Sequence, residues 1–395
     1  MTATTSTPGG VFARLTGQEA VAEELLRAAR DPASMTHAWL FTGPPGSGRS
    51  LAARAFAAAL QCESGPAEGG PGCGRCQACQ TVLAGSHPDL VVESTTGTFI
   101  LVGRARELAQ QAARRPVAGR WRVIVVEDAD RLNDQAADAL LKSLEEPPER
   151  TVWLLCAPSL EDLLVTIRSR CRHVRLRTPP VDAVAALLVA EGVDAPMAHY
   201  AARAAQSHIG IARRLARDEA ARARRREVIA IPASLTDLGA ALSAAEALYS
   251  AAQEDTDDEE QARARRAYIA DLGGDPDARV QPPAIRAHLK AWDEDAKRAS
   301  RRRQHDAIDA ALTDLASVYR DALVLGSGAP VEPVNATEPE LVDRVRRAFT
   351  PEELLRALDA INLARQRLVA NGAPLLVLEA MMISLIHPRA SGDRG

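Results

Sequence analysis

Three groups of residues in this chain have the types and spacing to do chemistry. The first is the stretch Gly43-Pro-Pro-Gly46-Ser-Gly48-Arg49-Ser50, a G-x-x-x-x-G-Arg-Ser pattern. A short apolar run, Trp39-Leu40-Phe41, precedes it, and an Ala-rich helical pattern over 51–60 follows. Strand, Gly-rich loop and helix are the setting of a phosphate-binding loop: glycines let backbone N–H groups turn inward, and the helix N-terminus adds partial positive charge. Arg49 stands where such a loop carries lysine, and a planar guanidinium is a poor substitute for a compact ammonium on the β- and γ-phosphates. The alternative is a structural turn that only caps a helix; the flanks argue against it.

The second group is Trp121-Arg-Val-Ile-Val-Val-Glu127-Asp128, an apolar strand ending in two acids, as in a Walker B strand. A working ATPase has Asp first, to help hold magnesium, and Glu second, to polarise water. Here the order is reversed, and the shorter second carboxylate stands farther from an attacking water. The third group is Cys62, Cys73, Cys76 and Cys79, spaced C-x10-C-x2-C-x2-C. Four soft thiolates with no vacant position describe a closed structural Zn2+ site. A disulfide pair is the competing reading, disfavoured by the spacing and by a chain that reads as cytoplasmic. Cys156 and Cys171 lie elsewhere.

The elements that must position these groups follow from periodicity. At 395 residues the chain has room for two or three domains, and 46% hydrophobic with 25% charged residues is ordinary for a globular protein. A net charge of −4 argues against wholesale DNA coating. No apolar run is long enough to span a membrane. Residues 1–10 read as a short disordered tail, not a signal peptide. A helix is expected over 18–30, strands over 39–41, 89–93, 121–128, 151–156 and 172–176, and intervening helices over 51–60, 102–115, 133–144 and 160–167. Five strands alternating with helices predict a doubly wound parallel α/β sheet. Three short helices are expected over 181–191, 196–205 and 210–217. Ile231-Pro232 reads as a linker, and 235–390 is helical throughout. The basic run 222–226 reads as a solvated helix face. The charged stretches 254–260 and 298–303 read as exposed helix ends or a disordered insert. The segments 354–368 and 374–386 are strongly apolar.

These pieces together resemble the AAA+ subunits of the bacterial sliding-clamp loader, part of the DNA polymerase III holoenzyme. The features that carry the resemblance are the loop 43–50, the cysteine insert 62–79, the turn Leu144-Glu145-Glu146-Pro147-Pro148, and Ser169-Arg170-Cys171. The resemblance is good over about 11–220. It implies an α/β AAA+ module over 11–180 with a zinc insert, a three-helix lid over 181–232, and an all-α collar over 233–390. It also implies that Ser169-Arg170-Cys171 is an arginine-finger motif and that Gly210-Ile211-Ala212-Arg213 is a sensor 2 motif.

Motor subunits of that family carry Lys in the loop, Asp-Glu in Walker B and Thr at the end of the following strand. This chain has Arg49, Glu127-Asp128 and Cys156-Ala157-Pro158. A finger beside a degraded nucleotide site is similar to the delta-prime, or stator, branch. The implied partners are gamma/tau and delta subunits in a pentameric ring, the sliding clamp, and primed DNA reached through the assembly. Arg104, Arg106, Arg114 and Arg115 are candidates for phosphate contacts, with a solvated face as the alternative. ATP with Mg2+ is doubtful as a ligand of this chain. Two other readings stay open: an ATP-hydrolysing motor of the same family, and a zinc-dependent nucleic-acid-binding module.

Overall fold

The structure, a computed structural model, describes residues 9–94, 99–254, 258–278, 280–370 and 372–386. Most of the expected tail at 1–10 and part of the acidic stretch 254–260 lie outside them. The chain divides into two compact units, Met1–Arg217 and Asp218–Gly395.

The first unit is built on five parallel strands: β1 (Ala38–Thr42), β2 (Leu90–Glu93), β3 (Arg122–Val126), β4 (Thr151–Ala157) and β5 (Arg172–Arg175), in the order β2-β3-β4-β1-β5. Helix α1 (Glu19–Arg30) precedes β1, and helices α2 (Arg49–Gln61), α3 (Gln77–Leu83), α4 (Val102–Ala112), α5 (Asp134–Glu145) and α6 (Val165–Arg168) connect the strands. The two-residue period of a strand distributes its apolar residues to both faces. Trp39, Phe41, Val125 and Leu154 enter one core with α1, α2 and α3; Leu40, Ile124, Val126 and Leu155 enter the other with α4, α5 and α6. Both faces are covered at β1, β3 and β4, whose residues are all buried and read as near-continuous apolar runs, whereas β5 is Arg-His-Val-Arg with only Val174 buried. The alanines of α2 (Ala52, Ala53, Ala55, Ala57, Ala58 and Ala59) are buried, which lets that helix lie close to the sheet.

Two expected helices are shorter than their patterns. The helix expected over 102–115 ends at Ala112, leaving Arg114 and Arg115 beyond it. Of the helix expected over 160–167, only Val165–Arg168 forms; the Asp162 carboxylate instead accepts the Ser159 N–H at 2.9 Å and closes a turn. Helices α7 (Val181–Ala190), α8 (Ala195–Ala204) and α9 (Ile209–Arg217) complete the first unit.

The second unit is helical among the described residues: α10 (Glu219–Ser234), α11 (Leu238–Glu254), α12 (Asp258–Asp271), α13 (Pro283–Ser327), α14 (Pro339–Ala348), α15 (Pro351–Val369) and α16 (Pro374–Ser384). The expected linker at Ile231-Pro232 is instead the last turn of α10, where a proline removes a single hydrogen bond. The basic stretch 298–303 lies inside the 45-residue α13 and is neither a helix end nor an insert. The run 222–226 also departs from a solvated face, because Arg225 is buried. Its Nε donates to Asp314 Oδ1 at 2.9 Å and its Nη2 to Asn335 Oδ1 at 2.6 Å. Asn335 Nδ2 donates to Ser317 Oγ and to Asp321 Oδ2, each at 2.9 Å. An apolar core runs beside this network, from Leu312, Leu315 and Tyr319 of α13 to Ile361 of α15 and Met382 of α16.

Burial outweighs the Arg225 charge and pushes the Asp314 carboxyl up to about 6. A carboxyl whose folded pKa exceeds its unfolded value of about 3.9 binds its proton more readily in the folded chain, so its contribution to stability falls as pH rises from about 4 to about 6. Asp314→Asn is expected to flatten this part of the stability–pH curve, measured by urea unfolding at several pH values. Arg225→Ala is expected to cost roughly 3–5 kcal/mol at neutral pH, because it strands an acid that is only about one-fifth exposed and removes the buried guanidinium from Asn335; a loss below about 1 kcal/mol would show that the network is not a fixed unit.

Candidate nucleotide cleft, thiolate cluster and exposed arginine

The Gly-rich loop leaves the C-terminal end of β1 and enters α2, whose cap is Gly48 in the left-handed region, φ 91°. Gly46 is also left-handed, φ 81°, and a Cβ there would come within 2.5 Å of His208 Cγ. The imidazole that precedes α9 therefore lies against the bend of the loop. Burial, with the Arg49 charge nearby, holds His208 below the ordinary histidine pKa, so it is neutral at pH 7. Arg49 turns back: its Nη1 donates to the Gly43 carbonyl at 2.6 Å. Ser50 is the second residue of α2. A cleft of about 470 Å3 opens beside Gly43, between Ser159 and Glu161 on one side and His173 and Arg175 on the other. Gly46, Gly48, Arg49 and Ser50 do not line it.

The remaining residues expected at a nucleotide are also engaged within the chain. Glu127 accepts from Arg54 Nε of α2 at 2.9 Å. Asp128 follows it at the end of β3 and precedes a short 3-10 turn. Arg213 of α9 lies on Glu191 at the end of α7, its Nε 2.9 and 3.0 Å from the two carboxylate oxygens and its Nη2 2.5 Å from one of them. Arg217 joins the same carboxylate at 3.0 Å. The hydrogen bonds from Arg213, strengthened by its charge and that of Arg217, hold Glu191 below the usual carboxylate range. Arg54, Glu191 and His208 are not marked by any local sequence pattern. Arg54 and Glu127 are 73 positions apart, and a pairing at that separation leaves no local pattern.

Cys62, Cys73, Cys76 and Cys79 do come together: all four sulfurs lie within 4.8 Å of one another. Cys62 caps the end of α2, and Cys76 begins α3. Zinc at about 2.3 Å from each of four tetrahedral sulfurs requires them near 3.8 Å apart, and Cys76 Sγ lies 4.0 Å from Cys62 Sγ. Backbone N–H groups approach the sulfurs: Cys73 N to Cys62 Sγ at 3.5 Å, Cys76 N to Cys73 Sγ at 3.3 Å and Cys79 N to Cys76 Sγ at 3.4 Å. Burial disfavours the Cys73 thiolate, but the Ser64 hydroxyl and the N–H groups of Arg75 and Cys76 outweigh it and bring the thiol down to about 6. The donor set and its hydrogen bonds fit a metal held by thiolates. Cys156 and Cys171 lie outside the cluster, and burial pushes Cys171 up to about 12.

Ser169 and Arg170 sit between α6 and β5. The parallel register pairs Trp39 with Arg172 and Thr42 with Arg175. Arg170 therefore lies beside the start of β1, while Gly43 follows its end. At about 3.3 Å per residue the two are separated by roughly 20 Å along the strands. The Arg170 side chain is about one-third exposed. Its Nε donates to Glu145 Oε1 at 2.7 Å, Nη2 bonds the same oxygen, and Nη1 donates to the Thr166 carbonyl at 2.7 Å and to Ser169 Oγ at 3.3 Å. Of the arginines considered for phosphate contact, Arg104 is paired with Glu93 and Glu107.

The family described as DNA polymerase III, delta subunit, matches residues 17–180. A DNA polymerase III subunit delta' from Pseudomonas aeruginosa is 41% identical over 141 residues, 35% of this chain and 42% of the relative. The delta' subunit of Escherichia coli is 40% identical over 147 residues, 36% of this chain and 43% of that protein. A gamma/tau subunit from Mycobacterium tuberculosis is 36% identical over 178 residues, 45% of this chain and 30% of the relative. The chain thus spans well under half the length of the curated relatives it matches. Sheet order, Gly-rich loop, cysteine insert and these matches converge on the first unit, which is similar to the clamp-loader subunits of DNA polymerase III.

Proposed function

We propose that the chain is a non-motor subunit of a sliding-clamp loader, of the delta-prime kind, which lends Arg170 to the ATP site of a neighbouring subunit. The observation that carries this reading is the placement of Arg170 at the end of the sheet away from its own Gly-rich loop. A guanidinium roughly 20 Å from its own loop can act only on a phosphate brought by another chain. Such an arginine stabilises negative charge on the transferred phosphoryl group and needs no nucleotide in its own subunit.

The engagement of the residues around the Gly-rich loop supports the same reading. Arg49 is turned onto the Gly43 carbonyl, Glu127 onto Arg54 and Arg213 onto Glu191, and His208 lies on Gly46. These residues fit ATP and Mg2+ poorly, because each would have to give up a partner before meeting a phosphate or a metal ion. The gamma/tau relatives, 36% identical, keep the motor alternative in view. In the assembly proposed here, partners are the gamma/tau and delta subunits of a pentameric ring, with the clamp and primed DNA engaged by the whole. The four cysteines hold structural Zn2+, which ties the end of α2 to the start of α3.

Three measurements test these assignments. The isolated chain is expected to show no ATP turnover and no tight retention of radiolabelled ATP on a filter; brisk hydrolysis would favour the motor. A loader reconstituted with Arg170→Ala is expected to assemble normally while hydrolysis at the adjoining site falls roughly 10³-fold, seen as the loss of one site's share of stimulated ATPase; wild-type rates would remove the finger. The purified chain is expected to carry one zinc per molecule by atomic absorption, and Cys76→Ser to release it and expose 62–79 to proteolysis. Lost DNA binding with the insert still protected would instead favour a separate zinc-dependent nucleic-acid-binding module.

A further inference from the structure

We propose that Glu145 is a positioning residue for Arg170, a latch that holds the guanidinium back until a neighbour's nucleoside triphosphate competes for the same N–H groups; this rests on Arg170 acting as a finger. A guanidinium has five N–H donors. Here Nε and one Nη2 donor are directed at Glu145 Oε1, and the two Nη1 donors at the Thr166 carbonyl and Ser169 Oγ. One Nη2 donor is left over. A forked contact with a phosphoryl oxygen pair needs two parallel donors, and both available forks include donors already in use. Arg170 in this arrangement is therefore retracted, and engagement with a phosphate requires exchange of one anion for another.

Three features of Glu145 suit it to that exchange. It is the last residue of α5, where the helix dipole disfavours an acid unless a cation answers it. Pro147 and Pro148 follow and forbid further helix, so the carboxylate stays at the helix end. The pair is also open to water, with 32% of the Arg170 side chain and 45% of the Glu145 side chain exposed. Ion pairs this exposed are screened and weak. A dianionic phosphoryl group in a closed subunit interface outcompetes such a carboxylate, whereas a bare interface does not. The latch thus makes the finger available only when the neighbour's site is filled and closed.

The test uses loader reconstituted with the full-length chain carrying Glu145→Gln, Glu145→Ala, Arg170→Ala or the double change Glu145→Gln/Arg170→Ala. ATPase is measured with and without clamp and primed DNA, and assembly is checked by gel filtration. Glu145→Gln and Glu145→Ala are expected to raise the unstimulated rate several-fold and leave the stimulated rate within about twofold, so the stimulation ratio shrinks. The double variant is expected to match Arg170→Ala. In the isolated chain, Glu145→Gln is expected to speed hydrogen exchange at Arg170 Nε–H. An unstimulated rate and an exchange rate both equal to wild type would overturn the latch, and so would a fall in the stimulated rate alone. If Arg170→Ala itself is fully active, the finger reading fails; if Arg170→Ala is impaired while the Glu145 variants behave as wild type, only the latch fails.

Discussion

Parallel pairing of β1 with β4 and β5 is the constraint on which the rest of this chain depends. A parallel sheet has two unlike edges. The Gly-rich loop follows the C-terminal end of β1, where an emerging helix offers its N-terminus to an anion. The connection from α6 to β5 reaches the opposite edge, so Arg170 is separated from that loop by the full length of the strands. No side-chain rotation closes such a distance. A protein that keeps both features either serves two nucleotides, one at each edge, or has let one edge fall silent.

The silent-edge reading has a specific chemical form in this structure. A cleft that binds phosphate keeps its cations poised and its acids ready for metal. Here Arg49, Arg213 and Glu127 are each neutralised within the chain, by a carbonyl dipole, a carboxylate and a guanidinium respectively. Arg213 shows the difference between loss and replacement most clearly. Its forked contact with Glu191, joined by Arg217, is the geometry that suits guanidinium best. Helices α7 and α9 are thereby tied to each other by the side chain that the sequence pattern assigned to a nucleotide. A neutral His208 against Gly46 adds a wall where phosphate oxygens would need donors.

Much of the α/β unit was legible because its signals are local. Short apolar runs bounded by turn residues marked β1 to β4, and the C-x10-C-x2-C-x2-C spacing marked four sulfurs that the structure brings within 4.8 Å. What was illegible depends on distant partners. Arg225 sits in a run of basic residues and reads as solvated, yet Asp314 and Asn335, 89 and 110 positions away, take it into the interior. Ile231-Pro232 reads as a break, yet a proline in the last turn of a helix removes too little to end it early. The helix expected over 160–167 failed because a side-chain carboxylate offered the backbone a competing bond at Ser159. Glu145 was visible within a motif, but nothing in its neighbours announced that it faces Arg170.

A chain that lends one arginine to another molecule's phosphate must also keep its other arginines from taking that phosphate. The difficulty is acute here, since only three of the 48 basic residues are lysines, Lys142, Lys290 and Lys297. Around the first unit Arg54, Arg104, Arg172, Arg213 and Arg217 each have a carboxylate partner on an element of that unit. Arg172, two residues from Arg170, is held by Glu24 at 2.8 Å, by the Ser34 carbonyl at 2.9 Å and over the Trp39 ring at 4.8 Å. These pairs are exposed enough that each contributes little to folding, so their number is poorly explained by stability alone. Their effect on recognition is larger: a guanidinium already answered by a carboxylate is a poor competitor for an anion. Arg170 is held differently, by Glu145, the Thr166 carbonyl and Ser169 Oγ, through hydrogen bonds that an incoming anion can replace one by one.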